Sequence, residues 1–119
     1  MTTRGIRGAI SVDENNEQSI KEAVNELIKT ILDSNDIATE AISHVIFTMT
    51  EDLNKAFPAK FARELFDWKY VPMMCYNELN VPNSLPMCLR VLVVVNTDKK
   101  QNEVKHIYLK NAKKLRQDL

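Results

Sequence analysis

The sequence is short of several residue types, and each shortage removes a class of protein. Its only two glycines lie between Arg4 and Ala9, so it has no glycine-rich loop that could cradle a phosphate group. Its two cysteines, Cys75 and Cys88, are too few to staple a small secreted fold and match no zinc or redox spacing. The first residues lead into no apolar segment of a signal peptide, and no apolar run approaches membrane-spanning length. We therefore expect a cytoplasmic protein with reduced thiols and no membrane partner.

The formal net charge is zero at pH 7. The 16 basic and 16 acidic side chains cancel, which indicates neither a nucleic-acid partner nor a membrane surface. The two halves differ, since residues 1–57 carry 5 Lys and Arg against 10 Asp and Glu, whereas residues 58–119 carry 11 against 6. A basic half with few aromatic residues favours a small anionic ligand. With 45% apolar and 27% charged residues, the chain is expected to be one globular domain, residues 1–119.

Familiar catalytic motifs are missing as well. The sequence contains no HExxH, no G-x-S-x-G and no pair of histidines at metal-binding spacing, so we predict no metal site. Cys75 could act as a nucleophile, but nothing in the sequence assigns a histidine as its base. What is present is a set of permanent cations with a few polar groups: Arg7, Lys60, Arg63, Arg90, Glu78, Tyr108 and the Cys75 thiol. Such a set can bind a small polyanion and stabilise separated charge.

The stretch Leu89–Val95 stands out in the apolar pattern. It is aliphatic, mostly β-branched and interrupted only by Arg90, and such a run predicts a strand that is buried on both faces. A guanidinium inside that strand requires an anionic partner or a hydrated cavity, since an unpaired buried charge costs several kcal/mol. The alternative is that Arg90 lies near the open end of the strand and extends to water. The pattern alone leaves both interpretations open.

The other periodicities predict an α+β domain. Apolar residues at helical spacing predict a long helix over 15–34, with Asn15 and Gln18 as its capping box, and Pro58 suits the first turn of a short helix. Strands are expected around Arg90 and at four further ranges: Thr3–Ser11, Ser43–Met49, Tyr70–Tyr76 and Val104–Leu109. One long helix covers only one face of such a sheet, so we expect a second subunit to cover the other face.

Some of the cations also fit purely structural roles. Lys60 and Arg63 lie three residues apart on the short helix, where exposed cations on an amphipathic surface are commonplace. Arg7 shares a strand face with Gly5 and Ala9. These small neighbours leave space either for a pocket wall or for a close-packed backbone crossing.

Six fragments of the sequence together resemble one enzyme family. In chain order they are Arg4-Gly5-Ile6-Arg7-Gly8-Ala9, Phe57-Pro58-Ala59-Lys60 with Arg63-Glu64-Leu65, Tyr70-Val71-Pro72, Cys75 with Glu78, Cys88-Leu89-Arg90-Val91, and His106-Ile107-Tyr108-Leu109. Their order and separations are similar to those of the monofunctional chorismate mutases of the β-rich, trimeric class, as distinct from the all-helical class. The resemblance covers essentially the whole chain. It implies a mixed five-stranded sheet with one long helix on one face, in a homotrimer that closes into a pseudo-α/β-barrel with its sites between subunits.

The resemblance implies an isomerase that converts chorismate to prephenate on the route to phenylalanine and tyrosine. That reaction is an intramolecular pericyclic rearrangement and uses no nucleophile, metal or cofactor, in keeping with the few catalytic groups above. The enzyme has to select the compact conformer of a flexible dicarboxylate. It also has to stabilise the negative charge that develops on the ether oxygen.

Roles for individual residues follow from the same resemblance. Arg90 is expected at the ether oxygen, with Arg7 and Glu78 as the other catalytic groups. Arg7 and Tyr108 resemble groups that hold a substrate carboxylate, whereas Glu78 and Cys75 resemble those at the ring hydroxyl. The remaining substrate-binding positions form apolar walls or supply cations at the mouth and tail of the site: Phe57, Ala59, Met73, Leu115, Lys60, Arg63 and Arg116.

Two further hypotheses use the same residues. A non-catalytic oligomer would bind a small dicarboxylate as a regulator through the basic cluster, but it would have no use for Glu78 facing the ligand. A plain assembly domain would carry its positive excess only as a solvated surface. Binding without turnover would favour the first, and a melting temperature indifferent to dicarboxylates would favour the second.

Overall fold

Five strands form one mixed sheet. The computed structural model describes residues 1–117. The strands are β1 (Thr2–Ser11), β2 (Ile42–Met49), β3 (Met73–Asn77), β4 (Cys88–Thr97) and β5 (Ile107–Leu109). Their order across the sheet is β3-β2-β4-β1-β5. The central strand β4 is antiparallel to β1 and β2, while the edge strands β3 and β5 run parallel to their neighbours. The predicted mixed α+β architecture is confirmed.

Two α-helices, α1 (Glu17–Asn35) and α2 (Pro58–Phe66), accompany three short 3₁₀ helices at Thr39–Ala41, Gln101–Glu103 and Lys110–Lys114. Within residues 1–117, neither α-helix has the length and apolar character needed to cross a membrane. The apolar stripe of α1 is buried completely at its centre, and every member below is at most 4% exposed: Ile20, Ala23, Val24, Leu27, Ile28 and Ile31. The stripe predicted from helical spacing therefore packs on the sheet.

The predicted cap of α1 is wrong by one residue. Asn16 is the N-cap, and its Oδ1 accepts from Ser19 N at 2.8 Å. Asn15 instead exchanges two hydrogen bonds with Asn54, at 2.9 and 3.0 Å. Both asparagines suit an N-cap by residue type, so the choice between them depends on the contact with Asn54, which is remote in sequence.

Two predicted strands are shorter in the structure. β3 begins at Met73, after Pro72, whose carbonyl accepts from Val45 N at 2.9 Å. Proline has no N–H to donate to a neighbouring strand, so it is tolerated at the start of an edge strand but not within a central one. Pro72 lies just before the edge strand β3, in keeping with that rule. β5 covers only Ile107–Leu109, so His106 lies outside the strand. The expected strand over Val104–Leu109 is thus wrong in its first half.

The two faces of the sheet differ in their covering. On the helix side, Val91, Val93 and Val95 of β4 are buried in the main core. The intervening Leu92 and Val94 point to the opposite face and are only half-buried. Burial of β4 on both faces is therefore not reached within one chain. We call this second, less covered side the open face.

Close packing between β1 and α1 explains why Gly8 has no side chain. A Cβ atom at Gly8 would lie 2.6 Å from Ile31 Cδ1 and 3.0 Å from Leu27 Cδ1, well inside van der Waals distance. Gly8 thus faces α1, whereas the flanking Arg7 and Ala9 face the open side. At Gly8 the absence of a side chain serves the close backbone crossing, and on the Arg7 face Gly5 and Ala9 are also closely packed, since a Cβ at Gly5 would lie 3.1 Å from Leu92 Cδ1 and Ala9 is 1% exposed.

Candidate active site

An ion pair between Arg90 and Glu78 lies on the open face, at the end where β4 begins. Arg90 Nε lies 2.8 Å from Glu78 Oε1, and the two side chains are 29% and 13% exposed. The N–H is not aligned on that oxygen as a hydrogen bond, so charge attraction holds the pair. Thr48 Oγ1 donates to the same Oε1 at 2.7 Å. Of the two interpretations of Arg90, the one with an anionic partner is confirmed.

Arg90 reaches the open face because of strand register. It lies opposite Ala9 of β1 on one side and opposite Thr48 of β2 on the other. Glu78 comes directly after β3, where its backbone N donates to Met49 O at 2.9 Å. This hydrogen bond holds Glu78 at the end of β2, which lies between the edge strand β3 and the central strand β4. The Glu78 carboxylate can therefore reach Arg90 on β4. Glu78 also lines a cavity of about 200 Å³ beneath the loop that follows it.

Arg7 and Tyr108 complete a row of polar groups on this face. Arg7 lies opposite Leu92 of β4, two pairs along from Ala9 and on the same face, and Tyr108 lies opposite Ala9 across the β1–β5 pairing. The Tyr108 hydroxyl is buried and has no hydrogen-bond partner in the part of the chain that the structure describes. A buried hydroxyl without a partner is costly unless a bound molecule supplies one.

The C-terminal segment closes one side of the row. Ala112 is fully buried with Ala9 and Cys88, and Tyr108 and Leu115 pack against them. Arg116 lines a hollow of about 510 Å³ that also contacts Tyr108. Leu115 is therefore brought to the same cluster as Tyr108, and Arg116 lies beside Tyr108 and His106.

The other predicted site residues lie elsewhere on the chain. Met73 and Cys75 of β3 are paired with Val45 and Phe47, which belong to the helix-side core, so they face away from Arg90. Ala59 packs against the same core, and Phe57 and Lys60 line a separate cavity of about 380 Å³. Arg63 is exposed one turn further along α2. One chain therefore holds two separate groups of predicted site residues.

Neither thiol is prepared for nucleophilic attack. Burial raises the pKa of Cys75, and a backbone hydrogen bond from Ala59 offsets only part of that effect. Burial likewise raises the pKa of Cys88 to about 11, although the nearby Arg90 charge opposes it. Raised values keep a thiol protonated at neutral pH, so the reactive thiolate is scarce.

His106 supports the backbone of Arg7. Its Nδ1 accepts from Arg7 N at 2.9 Å, which places the ring proton on Nε2. Burial, followed by the charges of Arg7 and Arg116, lowers the pKa of His106. The ring is thereby kept in its neutral form, the only one that can accept this bond.

Thr48 and His106 were not singled out as site residues by the sequence. Thr48 is an ordinary strand residue in sequence, and its signal is the β2–β4 register, which places it opposite Arg90. His106 belongs to one of the resembling fragments but has no motif-level role of its own. Both act on a neighbouring charged residue, a relation that exists only in three dimensions.

The open face can hold a small anion and stabilise charge that develops on it. Arg7 and Arg90 supply positive charge, with Arg116 beside Tyr108. Glu78 adds a carboxylate, and the Tyr108 hydroxyl has no partner among residues 1–117. Within residues 1–117, no group of His, Cys, Asp or Glu side chains is arranged to hold a metal ion. Fold and site together define an α+β domain whose open face carries the Arg90–Glu78 ion pair and a row of polar groups.

Comparison with known proteins identifies the family. Residues 3–119 match the family described as chorismate mutase type I. The chorismate mutase AroH of Thermus thermophilus is 47% identical over 117 residues, which cover 98% of this chain and 95% of that protein. The chorismate mutase AroH of Bacillus subtilis (strain 168) is 39% identical over 119 residues, covering 100% and 94%. A solved structure, chorismate mutase from Clostridium thermocellum, has 42% identity and a TM-score of 0.88, covering 92% of this chain and 96% of that one. The chain belongs to the chorismate mutase type I family.

Proposed function

We propose that this protein converts chorismate to prephenate at a site built around the Arg90–Glu78 pair. Family membership supports the activity, and the observation that carries the mechanism is the fixed ion pair on the open face. On this proposal the enzyme works in the cytoplasm, on the route to phenylalanine and tyrosine. It is an isomerase that needs no added cofactor, because the substrate rearranges within itself.

The chemistry asks for two things from the protein. Chorismate must be held in the compact conformer in which the two carbon ends that bond are adjacent. As the carbon–oxygen bond breaks, the ether oxygen gains negative charge, which a prearranged donor stabilises more in the transition state than in the ground state. A rigid array of charges on a sheet meets both needs, since strands position side chains more firmly than loops do.

Arg90 is assigned to the ether oxygen and Glu78 to the ring hydroxyl. Arg90 directs Nε towards Glu78, and we assign the terminal nitrogens of its planar fork to the substrate. Both contacts of the Glu78 carboxylate within residues 1–117 use Oε1, so we assign Oε2 to accept a hydrogen bond from the ring hydroxyl. The ion pair holds Arg90 in place before substrate arrives and lowers the cost of ordering its side chain on binding.

Arg7 and Tyr108 are assigned to a substrate carboxylate. Tyr108 has a buried hydroxyl without a partner in residues 1–117, and a carboxylate oxygen would accept a hydrogen bond from it. Arg7 lies on the same face, with its backbone anchored by His106. Arg116 adds a third cation near the C-terminal end of the face and favours approach of a dianion.

A neighbouring subunit of a homotrimer would supply the second half of the site. Phe57, Ala59, Lys60, Arg63, Met73 and Cys75 are site positions in the family resemblance, yet within one chain they lie apart from Arg90. The open face also carries uncovered apolar side chains, among them Met74 at 58% and Tyr76 at 48% exposure. Burying them against neighbours in a closed ring, the pseudo-barrel, would bring these six positions of one chain to the Arg90–Glu78 pair of the next chain.

The activity is tested with purified protein and chorismate in the presence of a chelator. We expect chorismate to be consumed and prephenate to appear without added cofactor, and native mass spectrometry of the same sample should report three chains. Absence of turnover by the assembled oligomer would refute the proposed function. Binding of chorismate without product would favour the regulatory dicarboxylate binder instead.

Sharing of the site between subunits has its own test. Arg90→Ala and Lys60→Ala/Arg63→Ala damage the two different groups, so each variant alone should be nearly inactive. Trimers formed by unfolding and refolding an equal mixture should regain activity, because about a quarter of the interfaces then combine two intact groups. If every site lies within one chain, mixing would restore nothing.

A further inference from the structure

Side chains tie the turn after β2 to the beginning of β4. Thr50 N donates to Cys88 O at 3.1 Å, and Cys88 N donates to Thr50 Oγ1 at 3.0 Å. Thr50 Oγ1 in turn donates to Asp52 Oδ1 at 2.5 Å. The Asp52 carboxylate accepts from Met87 N, with distances of 3.0 Å to Oδ2 and 3.2 Å to Oδ1. Thr50 and Asp52 thus hold two consecutive backbone N–H groups, and we call this arrangement the Asp52 clamp.

Met87 has a conformation that needs this support. Its φ of 51° is in the left-handed region, which is unfavourable for residues that carry a Cβ. Its N–H is bonded to Asp52, and its carbonyl accepts from Val12 N at 2.8 Å. Because both backbone polar groups of Met87 are bonded to other elements, the turn has one defined geometry. That geometry sets the direction in which β4 begins.

The clamp lies at one end of the loop that joins the two members of the ion pair. Glu78 opens the loop and is anchored to the end of β2 through Met49 O. Met87 closes the loop three residues before Arg90. We infer that Asp52 is a positioning residue, which fixes the start of β4 and thereby the distance and angle between Arg90 and Glu78.

This inference deepens the proposed function and rests on it. Asp52 touches no reacting group, and its effect passes through Thr50 and Met87 to the strand that carries Arg90. A displaced guanidinium would still attract a dianion, since attraction between charges varies slowly with distance. Stabilisation of the ether oxygen depends steeply on placement, so loss of the clamp should lower kcat more than it raises KM.

Asp52→Ala removes the acceptor of Met87 N and of the Thr50 hydroxyl. We expect kcat to fall about ten- to a hundredfold, the range that a misplacement of about 1 Å can produce, with a smaller change in KM. Asp52→Asn should recover much of the loss. Its Oδ1 can accept from Met87 N while its Nδ2 donates to Thr50 Oγ1, which still accepts from Cys88 N.

Thr50→Val keeps the β-branched shape and provides a second route to the same result if Asp52→Ala does not fold. Asp98→Ala is the matched control, because Asp98 is an exposed carboxylate whose one ion pair in the described part of the chain is with the N-terminal amine at 3.8 Å. Kinetics are measured below the melting temperature of every variant. If Asp52→Ala or Thr50→Val keeps the wild-type kcat, even with a lower melting temperature, the inference is overturned. Failure of Asp52→Asn to recover activity also counts against it, and an inactive wild type would overturn the proposed function and this inference together.

Discussion

Replacement of Arg90 is the sharpest test of the proposed mechanism. Arg90→Ala removes the donor assigned to the ether oxygen, and loss of one such prearranged donor lowers kcat about 10²–10³-fold, or about 3–4 kcal/mol of transition-state stabilisation. The variant also leaves the Glu78 carboxylate with the Thr48 hydroxyl as its remaining partner among residues 1–117. Loss of one member of a fully buried ion pair lowers the free energy of unfolding by up to about 5 kcal/mol. Because the Arg90 side chain is 29% exposed, we expect a loss of about 1–2 kcal/mol here.

Arg90→Lys separates charge from geometry. A lysine ammonium keeps the positive charge, but its single nitrogen cannot face Glu78 and the ether oxygen with the fixed spacing of a planar fork. We expect a loss of about ten- to a hundredfold in kcat, intermediate between wild type and Arg90→Ala. Continuous measurement of chorismate depletion, with KM determined for each variant, gives the comparison.

Two further variants exclude indirect effects. Arg4 is an arginine of β1 whose Nε donates to Lys99 O at 3.0 Å, and its position in the strand places it on the helix side. Arg4→Ala should therefore leave kcat unchanged. The double variant Arg90→Ala/Glu78→Gln removes the unpaired carboxylate, so it should regain melting temperature but not activity. If Arg90→Lys turns over at nearly the wild-type rate, the reasoning about the guanidinium fork is wrong.

Four smaller predictions follow from single contacts. Thr48→Val removes the hydrogen bond to Glu78 and should lower kcat about tenfold in the same assay, since a bond to a charged group is worth about 1.5 kcal/mol. Gly8→Ala should lower the free energy of urea unfolding by about 1–3 kcal/mol through overpacking against α1. The pKa of His106 is lowered in the folded state, so the fold binds its proton less readily than the unfolded chain does. Stability should therefore decline as the pH falls below about 6.5, and His106→Asn should decline less in urea titrations across that range. Cys88, buried and with its pKa raised to about 11, should react with a thiol reagent only after unfolding.

The order and kinds of elements could be predicted from the sequence because they depend on local patterns. Helical spacing of apolar residues specified α1, Pro58 marked the start of α2, and the Val-rich run specified β4. The ends of elements were less accurate. The choice of Asn16 over Asn15 as a cap, and the late start of β5, depend on partners far away along the chain.

The candidate site shows the same division. The sequence alone determined which residues are available: permanent cations, carboxylates and few nucleophiles, in a pattern that resembles chorismate mutases. Only the tertiary structure decided that Arg90 pairs with Glu78, that Thr48 and His106 support charged neighbours, and that Cys75 faces away from Arg90. The physical reason is that a strand's side chains alternate between faces, so register with neighbouring strands, which no local pattern encodes, selects which residues meet.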